Sequence, residues 1–479
     1  MKYILVVDEG TSHTRAILFD VHGKIKKISS QELTQYYPQP AWVEHCPHEI
    51  WEKTKLVIQE ACLDIAPLDI MSVSITNQRE TMLLWDKVTG KCLSKAIVWQ
   101  DRRTQAFCDE LKEHQPWVYQ KTGLPIDPYF SASKLTWMIE HHQIQDFKNI
   151  AFGTIDSYLI WCLTAGKVHA TDITNASRTL LFNIHEHVWD EELLKLFRVP
   201  KTILPQVLDC DAHFGNISSD ILGCTIPIRG VIGDQQASLV GVGAMNFGQA
   251  KMTYGTGGFL VANTGSKICL SGKGLLSTIA YAMKGKVAYA LEGNIYDAGS
   301  CMSWLKNNLG LIQNYQESQA LAESVSSNDG LYFIPAFSGL GAPHWLTATG
   351  ASFIGITRST QKAHLVRAVM ESVAFQTRDI LDVMNHEIGQ KILKLSVDGG
   401  MAQNSWFIQF LANLNQIQVL IPNTFENTAK GAAWIAGQSF DAVANIEDWQ
   451  LNQTINFQNR NVEIEAAYRG WFSLINSLK

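Results

Sequence analysis

Short apolar runs separated by polar turns open the chain. Tyr3 to Val7 reads as a buried strand and Arg15 to Phe19 as a second, with the polar turn Glu9 to Thr14 between them. The turn Val21 to Lys24 returns the chain into a third strand, Ile25 to Glu32, which completes an antiparallel meander. From Pro47 to Ala66 the apolar spacing becomes helical, carried by Ile50, Trp51, Leu56, Val57 and Ile58, and Ile70 to Thr76 is strand again. A meander followed by alternating helix and strand predicts a mixed sheet covered by helices.

Similar punctuation returns in the second half. Lys251 to Thr253 and Phe259 to Asn263 flank the turn Tyr254-Gly255-Thr256-Gly257-Gly258, and helices are predicted at Leu365 to Met384 and Trp406 to Leu414. Both halves therefore begin with a hairpin whose turn is rich in Gly, Thr and Ser. No short repeat and no Pro/Gly/Ser linker marks a boundary, so the motifs place it near Gly243, giving domains 1–243 and 244–479. The glycines between Gly241 and Gly248 fit a hinge.

A length of 479 residues suits two substantial globular bodies, and 46% hydrophobic residues can fill their cores. The formal charge of −6, with no clustered basic stretch, argues against nucleic acid as a partner. Nine cysteines, an odd number without a CxxC pair, fit reduced thiols in a cytoplasmic protein. The N-terminus lacks the apolar core of a secretory signal, and no apolar run reaches the roughly 18 residues of a membrane span, so no membrane insertion is expected. His45, Cys46 and His48 lack a fourth ligand and are read as unliganded.

The turn from Asp8 to Arg15 is the first candidate for chemistry. A glycine-containing hairpin turn exposes backbone N–H groups, its hydroxyls can wrap a phosphate, and Arg15 supplies charge. Asp8, at the strand end, can hold Mg²⁺ directly or through water. Taken alone, this is an ordinary polar turn. The turn Tyr254 to Gly258 repeats the design with Thr256 as its hydroxyl, and it lacks the Walker spacing. A third glycine element, Val397-Asp398-Gly399-Gly400-Met401-Ala402-Gln403-Asn404, stands between a strand and a helix. Three such elements, two of them opening opposite halves, point to a nucleotide clamped between two domains.

Further motifs carry a resemblance. Asn77-Gln78-Arg79-Glu80-Thr81, Ile97 to Thr104, Thr171 to Arg178, Gly233-Asp234-Gln235-Gln236-Ala237, Pro335 to Pro343 and Val397 to Gly400 together resemble the glycerol kinase branch of the FGGY carbohydrate kinases, within the actin-like ATPase superfamily. The likeness implies an α/β fold of two actin-like (ribonuclease H-like) ATPase domains, each a mixed five-stranded sheet covered by helices, with the active site in the cleft between them. It also implies ATP and Mg²⁺, a homodimer or homotetramer, and phosphorylation of glycerol. Another short polyol or ketose, such as erythritol, dihydroxyacetone or xylulose, is the second reading, and an inactive actin-like nucleotide-binding protein the third.

By the same resemblance Arg79, Glu80, Trp99, Tyr129, Asp234, Gln235 and Phe259 form the polyol pocket, with Asp234 the general base. The residue types agree, because a triol offers hydroxyls to charged and amide groups and a thin C–H surface to aromatic faces. The nucleotide falls to Glu9, Thr11, Ser12, His13 and Arg15 on one side and Thr256, Gly299, Ser303, Gly400, Met401 and Asn404 on the other, with Mg²⁺ at Asp8 and Asp234. Four positions depart from the family pattern. Glu9 replaces a usual Gln, and a carboxylate about 4 Å from a phosphate would repel it by about 4 kcal/mol at an effective dielectric near 20. His13 replaces a small hydroxyl residue, Ser303 a longer amide and Ala132 a glycine. The stretch Gly215 to Gly230 lacks the loop through which some members bind fructose bisphosphate, so that control is not expected.

Overall fold

The N-terminal meander forms as its apolar pattern predicts. In the computed structural model β1 (Tyr3–Glu9), β2 (His13–Asp20) and β3 (Ile25–Glu32) run antiparallel. After α1 (Pro47–Cys62), β4 (Ile70–Asn77) lies parallel to β1, and β5 (Ile228–Gly233) parallel to β4. The sheet order is β5-β4-β1-β2-β3. Both faces of β1 are covered. Leu5 and Val7 pack with Ile50, Val57 and Ile58 of α1, whereas Ile4 and Val6 belong to a core on the opposite face. Period-2 alternation therefore sends Asp8 to the face of Ile4 and Val6, and Glu9 to the α1 face. A second five-stranded sheet, of short strands, includes Met82–Asp86 and Ala96–Ile97, and α2 (Ser131–His141) packs beside it. The structure describes residues 1–478 apart from 338, 347–349, 441, 442, 444, 445, 450, 451 and 459–461. Ser338, within the Pro335 to Pro343 motif, and Lys479 lie outside the described residues.

The helix α3 (Asp234–Gly241) leads to the second half, where the strands are β6 (Ala250–Tyr254), β7 (Gly258–Gly265), β8 (Leu276–Met283), β9 (Lys286–Ile295), β10 (Lys394–Gly399), β11 (Gln418–Pro422) and β12 (Asn452–Ile455). Their order is β8-β9-β7-β6-β10-β11-β12, seven strands where five were expected. The five central strands repeat the N-terminal order and directions. The extra two cover edges: β8 pairs with β9 through the turn Lys284-Gly285, whose φ angles of 51° and 74° suit a type I′ hairpin, and β12 pairs with β11. Helices of this half include α4 (Gly299–Asn307), α5 (Lys362–Ile388) and α6 (Ser405–Asn415), with α5 and α6 slightly longer than their apolar periodicity predicts. Among the described residues no helix is long and apolar enough to cross a membrane.

The two halves exchange helices. α3 follows β5 yet also touches β6 and β7, while α7 (Asn427–Gly437), late in the chain, returns to pack on β1, β4 and β5. Where α3 and α7 cross, backbone meets backbone. A Cβ on Gly431 would stand 1.9 Å from the carbonyl oxygen of Ala237, and one on Gly241 would stand 1.8 Å from that of Asn427. Neither gap admits a methyl group, so glycine here is a packing requirement. Residues 242–249 link α3 to β6, and Gly243 and Gly248 adopt φ angles of 73° and 77°. Gly431→Ala is expected to force the helices apart and lower unfolding free energy by at least about 1–3 kcal/mol, read from urea melts. An unchanged midpoint would contradict this packing.

Candidate active site

The end of β4 delivers the first polar groups. Glu80 adopts φ 62°, a left-handed conformation that costs a non-glycine residue energy and persists only where neighbours hold it. Its Oε1 accepts from Nε of Arg178 at 2.6 Å, and its backbone oxygen accepts from Ser131 Oγ at 2.9 Å. Arg79 donates from Nη1 to Glu292 Oε2 at 2.6 Å and to Gln236 Oε1 at 3.1 Å, and from Nη2 to Glu292 Oε1 at 3.1 Å. Arg178 adds a second donor, Nη2, to Glu292 Oε1 at 3.0 Å. Burial pushes the Glu292 carboxyl up, but Arg178 and Arg79 outweigh it and hold the group down at about 2. Burial also raises Glu80, with Arg178 and Arg79 opposing.

Aromatic walls stand beside this charge. The Trp99 and Tyr129 rings meet edge to face at 5.6 Å, and the Arg178 guanidinium lies 5.9 Å from the Tyr129 ring. Trp99 Nε1 donates to Thr11 Oγ1 at 3.0 Å, tying the wall to the first glycine turn. The fully buried Lys134 donates to the backbone oxygens of Tyr129 at 3.0 Å and Val98 at 3.4 Å, so one ammonium braces both walls. Phe259 arrives by register: it stands opposite Thr253 and Asn294, one row along from Lys251, Val261 and Glu292 on the same face of the sheet.

Asp234 is the first residue of α3, with Arg79 Nε 3.3 Å from its Oδ1. Its side chain keeps 31% of its surface open, so the carboxylate is accessible. Burial in the narrow cleft raises its carboxyl above the usual range, against the pull of Arg79 and Lys251. Gln235 accepts from Lys251 Nζ at 2.5 Å. Burial pushes Lys251 down to about 8, although Asp398 and Asp234 favour its charge.

On the phosphate side, Arg15 bridges Asp8 and Glu426, its Nη1 2.8 Å from Glu426. The next residue, Asn427, donates to Asp398 Oδ2 at 3.0 Å, leaving Asp398 Oδ1 buried without a partner. Asp8, Asp234 and Asp398 carry the hard carboxylate oxygens that suit Mg²⁺, and among them Asp398 Oδ1 is buried and unsatisfied. Among the described residues no group of three or more His, Cys, Asp or Glu is gathered as a metal cluster. Mg²⁺ needs none, because one or two carboxylates and substrate phosphates hold it.

Thr256, Gly299, Ser303, Gly400, Met401 and Asn404, six positions drawn from three separate segments, line one cavity of about 670 Å³. The N-terminus of α4 closes on the second turn, with Gly299 N donating to Gly255 O at 2.9 Å. Ser303 is shorter than the family's amide, and Tyr315 approaches it, hydroxyl to hydroxyl, at 3.2 Å. Ser12 and His13 are exposed at the first turn, with His13 Nδ1 3.0 Å from Ser12 Oγ.

One expectation changes. The Glu9 side chain does not face the nucleotide: it is fully buried on the α1 side of β1, where Thr54 Oγ1 donates to it at 3.3 Å. Burial pushes its carboxyl up to about 8, so at neutral pH it is a protonated near-isostere of the usual Gln and the feared phosphate repulsion is absent. Ala132 likewise places its methyl in the core with Phe130 and Leu135. Sequence reasoning missed Glu292, Lys251, Glu426 and Asn427 as site groups. A lone acid inside the apolar run Val287 to Leu291 and its successor Gly293 was a signal for Glu292, since a buried charge demands a partner.

Comparison with known proteins agrees with this geometry. The model of the N-terminal domain of the FGGY family of carbohydrate kinases matches residues 3–241, and that of its C-terminal domain matches residues 250–440. A glycerol kinase of Alcanivorax borkumensis is 45% identical, with 98% of this chain and 97% of that protein covered. Glycerol kinase 2 of Thermotoga maritima is also 45% identical, with the same coverage of 98% and 97%. The crystal structure of Plasmodium falciparum glycerol kinase with ADP superposes with a TM-score of 0.93 at 34% identity, covering 100% of this chain and 98% of that one.

Glu9 yields a test of its burial. Its proton is held from the ordinary 4.5 up to about 8 in the folded chain, so stability falls as pH rises across that window and is level above it. Glu9→Gln should remove this slope, raising unfolding free energy by on the order of 3 kcal/mol at neutral pH and little at pH about 4. Thermal melts that differ from the native chain by the same amount at both pH values would contradict it.

Proposed function

The chain belongs to the FGGY family of carbohydrate kinases, and from that footing we propose that it transfers the γ-phosphoryl group of ATP to glycerol, giving sn-glycerol 3-phosphate and ADP. The observation that carries the proposal is the half-open Asp234 carboxylate held by Arg79, in a charge network that runs through Glu292 and Arg178 to the Tyr129 and Trp99 walls. Arg79 and Glu80 take hydroxyls, the aromatic rings take the C–H face, and Gln235 from α3 and Phe259 from the second sheet close the pocket. Asp234, made more basic by burial, accepts the proton of the terminal hydroxyl as that oxygen attacks phosphorus. The displaced oxygen leaves with ADP.

Phosphoryl transfer requires positioning and charge more than covalent help from the protein. Ser12, Thr11, His13 and Arg15 hold phosphates from one side and Thr256 from the other, while Gly299, Ser303, Gly400, Met401 and Asn404 hold the nucleoside. Bound at Asp8 and Asp234, Mg²⁺ would neutralise the phosphate oxygens. Residues 1–243 make the N-terminal domain and 244–479 the C-terminal one, with α7 crossing back; the eight-residue link and its two positive-φ glycines support that division. Domain closure excludes water, the competing acceptor. A cytoplasmic location, supported by nine free thiols, and a homodimeric or homotetrameric state belong to the same proposal.

Asp234→Asn should lower kcat by about 10²–10⁴, measured with glycerol in an ADP-coupled assay. In the native chain kcat/KM should fall as pH drops through a carboxyl titration lying above the ordinary aspartate range. An Asn variant retaining more than about a third of native kcat would remove Asp234 from the role of base.

A further inference from the structure

Lys251 has no assigned part in the reaction, yet its ammonium is buried close to the base. It stands on β6 with Thr253 on the same face of the strand, and among the described residues it makes no ion pair. Its two acceptors are neutral, Gln235 Oε1 at 2.5 Å and Thr253 Oγ1 at 2.8 Å. Asp398 and Asp234 favour its charge from farther off, and each nearby carboxylate has another partner: Arg79 meets Asp234, Arg79 and Arg178 meet Glu292, and Asn427 meets Asp398. A buried ammonium that bonds only neutral groups is costly, so its effect on those groups is the matter of interest.

An ammonium has N–H donors and no acceptor, which settles how the Gln235 carboxamide faces. Burial pushes Lys251 down only to about 8, so at neutral pH it is still charged and still donates. With Oε1 turned to Lys251, Gln235 Nε2 faces Asp234, 3.4 Å from Oδ2. The two oxygens of that carboxylate differ. Oδ1 accepts from Gln235 N at 2.7 Å and has Arg79 Nε at 3.3 Å, whereas among the described residues Oδ2 meets only the longer Nε2 contact. Oδ2 is therefore the oxygen with room for a substrate proton, and the group beside it is an N–H donor. A hydroxyl seated there gives its proton to Oδ2, accepts from Nε2 on one lone pair and keeps the other for phosphorus. A flipped carboxamide would set a carbonyl oxygen beside the carboxylate, repelling it and competing for the same proton.

We propose that Lys251 is a positioning residue acting through Gln235: it holds the carboxamide with its N–H groups toward Asp234 Oδ2, so that the attacking polyol hydroxyl is oriented with its proton on the base and a lone pair free for phosphorus. This rests on the polyol kinase reading given above.

The test is a double-mutant cycle of Lys251→Met and Gln235→Leu, with glycerol and ATP varied separately. Lys251→Met should lower kcat/KM for glycerol about tenfold or more and leave KM for ATP within about twofold. Gln235→Leu should lose at least as much, and adding Lys251→Met to it should cost no more than about a further twofold, because the amide through which the lysine acts is gone. Methionine leaves no unpaired buried charge, and Gln235 is partly open, so both variants should fold. If Lys251→Met nonetheless fails to fold, Lys251→Arg, which also only donates, should exceed Lys251→Gln in kcat/KM, since that carboxamide can turn either way. Either single variant within about twofold of native, an equal loss from Lys251→Met in both backgrounds, or Lys251→Gln matching Lys251→Arg would each overturn the positioning role. Absence of native glycerol phosphorylation would instead overturn the functional reading itself.

Discussion

Buried guanidinium groups must find carboxylates, and that demand organises the cleft. Arg79 and Arg178 are both withdrawn from water; the N-terminal half meets them with Glu80 and Asp234, and Glu292 arrives from the other sheet to bond both at once. An unpaired buried charge costs far more than the pair contributes, so the Arg79 fork and Glu292 need one another where the two halves meet, beside the apolar core that Ile279, Ala282 and Tyr289 share with Ile4 and Val6. Glu80 in its left-handed conformation, the Arg178 contact with Tyr129 and the hold of Arg79 on Asp234 all lie around that junction.

The scaffold answers the same demand by symmetry. Each half builds a hairpin followed by two parallel strands, and each leads a strand end with a glycine turn toward the cleft. α3 and α7 lock the halves by trading places, and their contact is close because glycine and alanine allow backbones to touch. Asp234 begins one of these helices, and Glu426, the partner of Arg15, immediately precedes the other. Asp234, the Glu426 partner of Arg15 and the interdomain contact are therefore anchored to a single pair of helices.

Local pattern made much of this legible. The meander, α1 and β4 were readable from apolar period alone, and the glycine turns from composition. The same period-2 rule would have separated Asp8 from Glu9, but a run of polar residues at a strand end reads as one turn and hides which face each side chain takes. Of the two extra strands of the second sheet, β8 was foreshadowed by Lys284-Gly285, a turn pair easily passed over when one residue is lysine. Glu292 is different in kind: its partners lie 213 and 114 residues away, and no window along the chain contains both halves of the bond. The return of α7 to the first sheet is equally tertiary, since it rests on how closely two backbones approach.

The central claim is that this cleft is shaped for a three-carbon triol beside ATP. The most direct measurement is kcat/KM with ATP across glycerol, dihydroxyacetone, erythritol, xylulose and ribulose. Glycerol should exceed every other substrate. A four- or five-carbon substrate with the highest kcat/KM would contradict the pocket as described here.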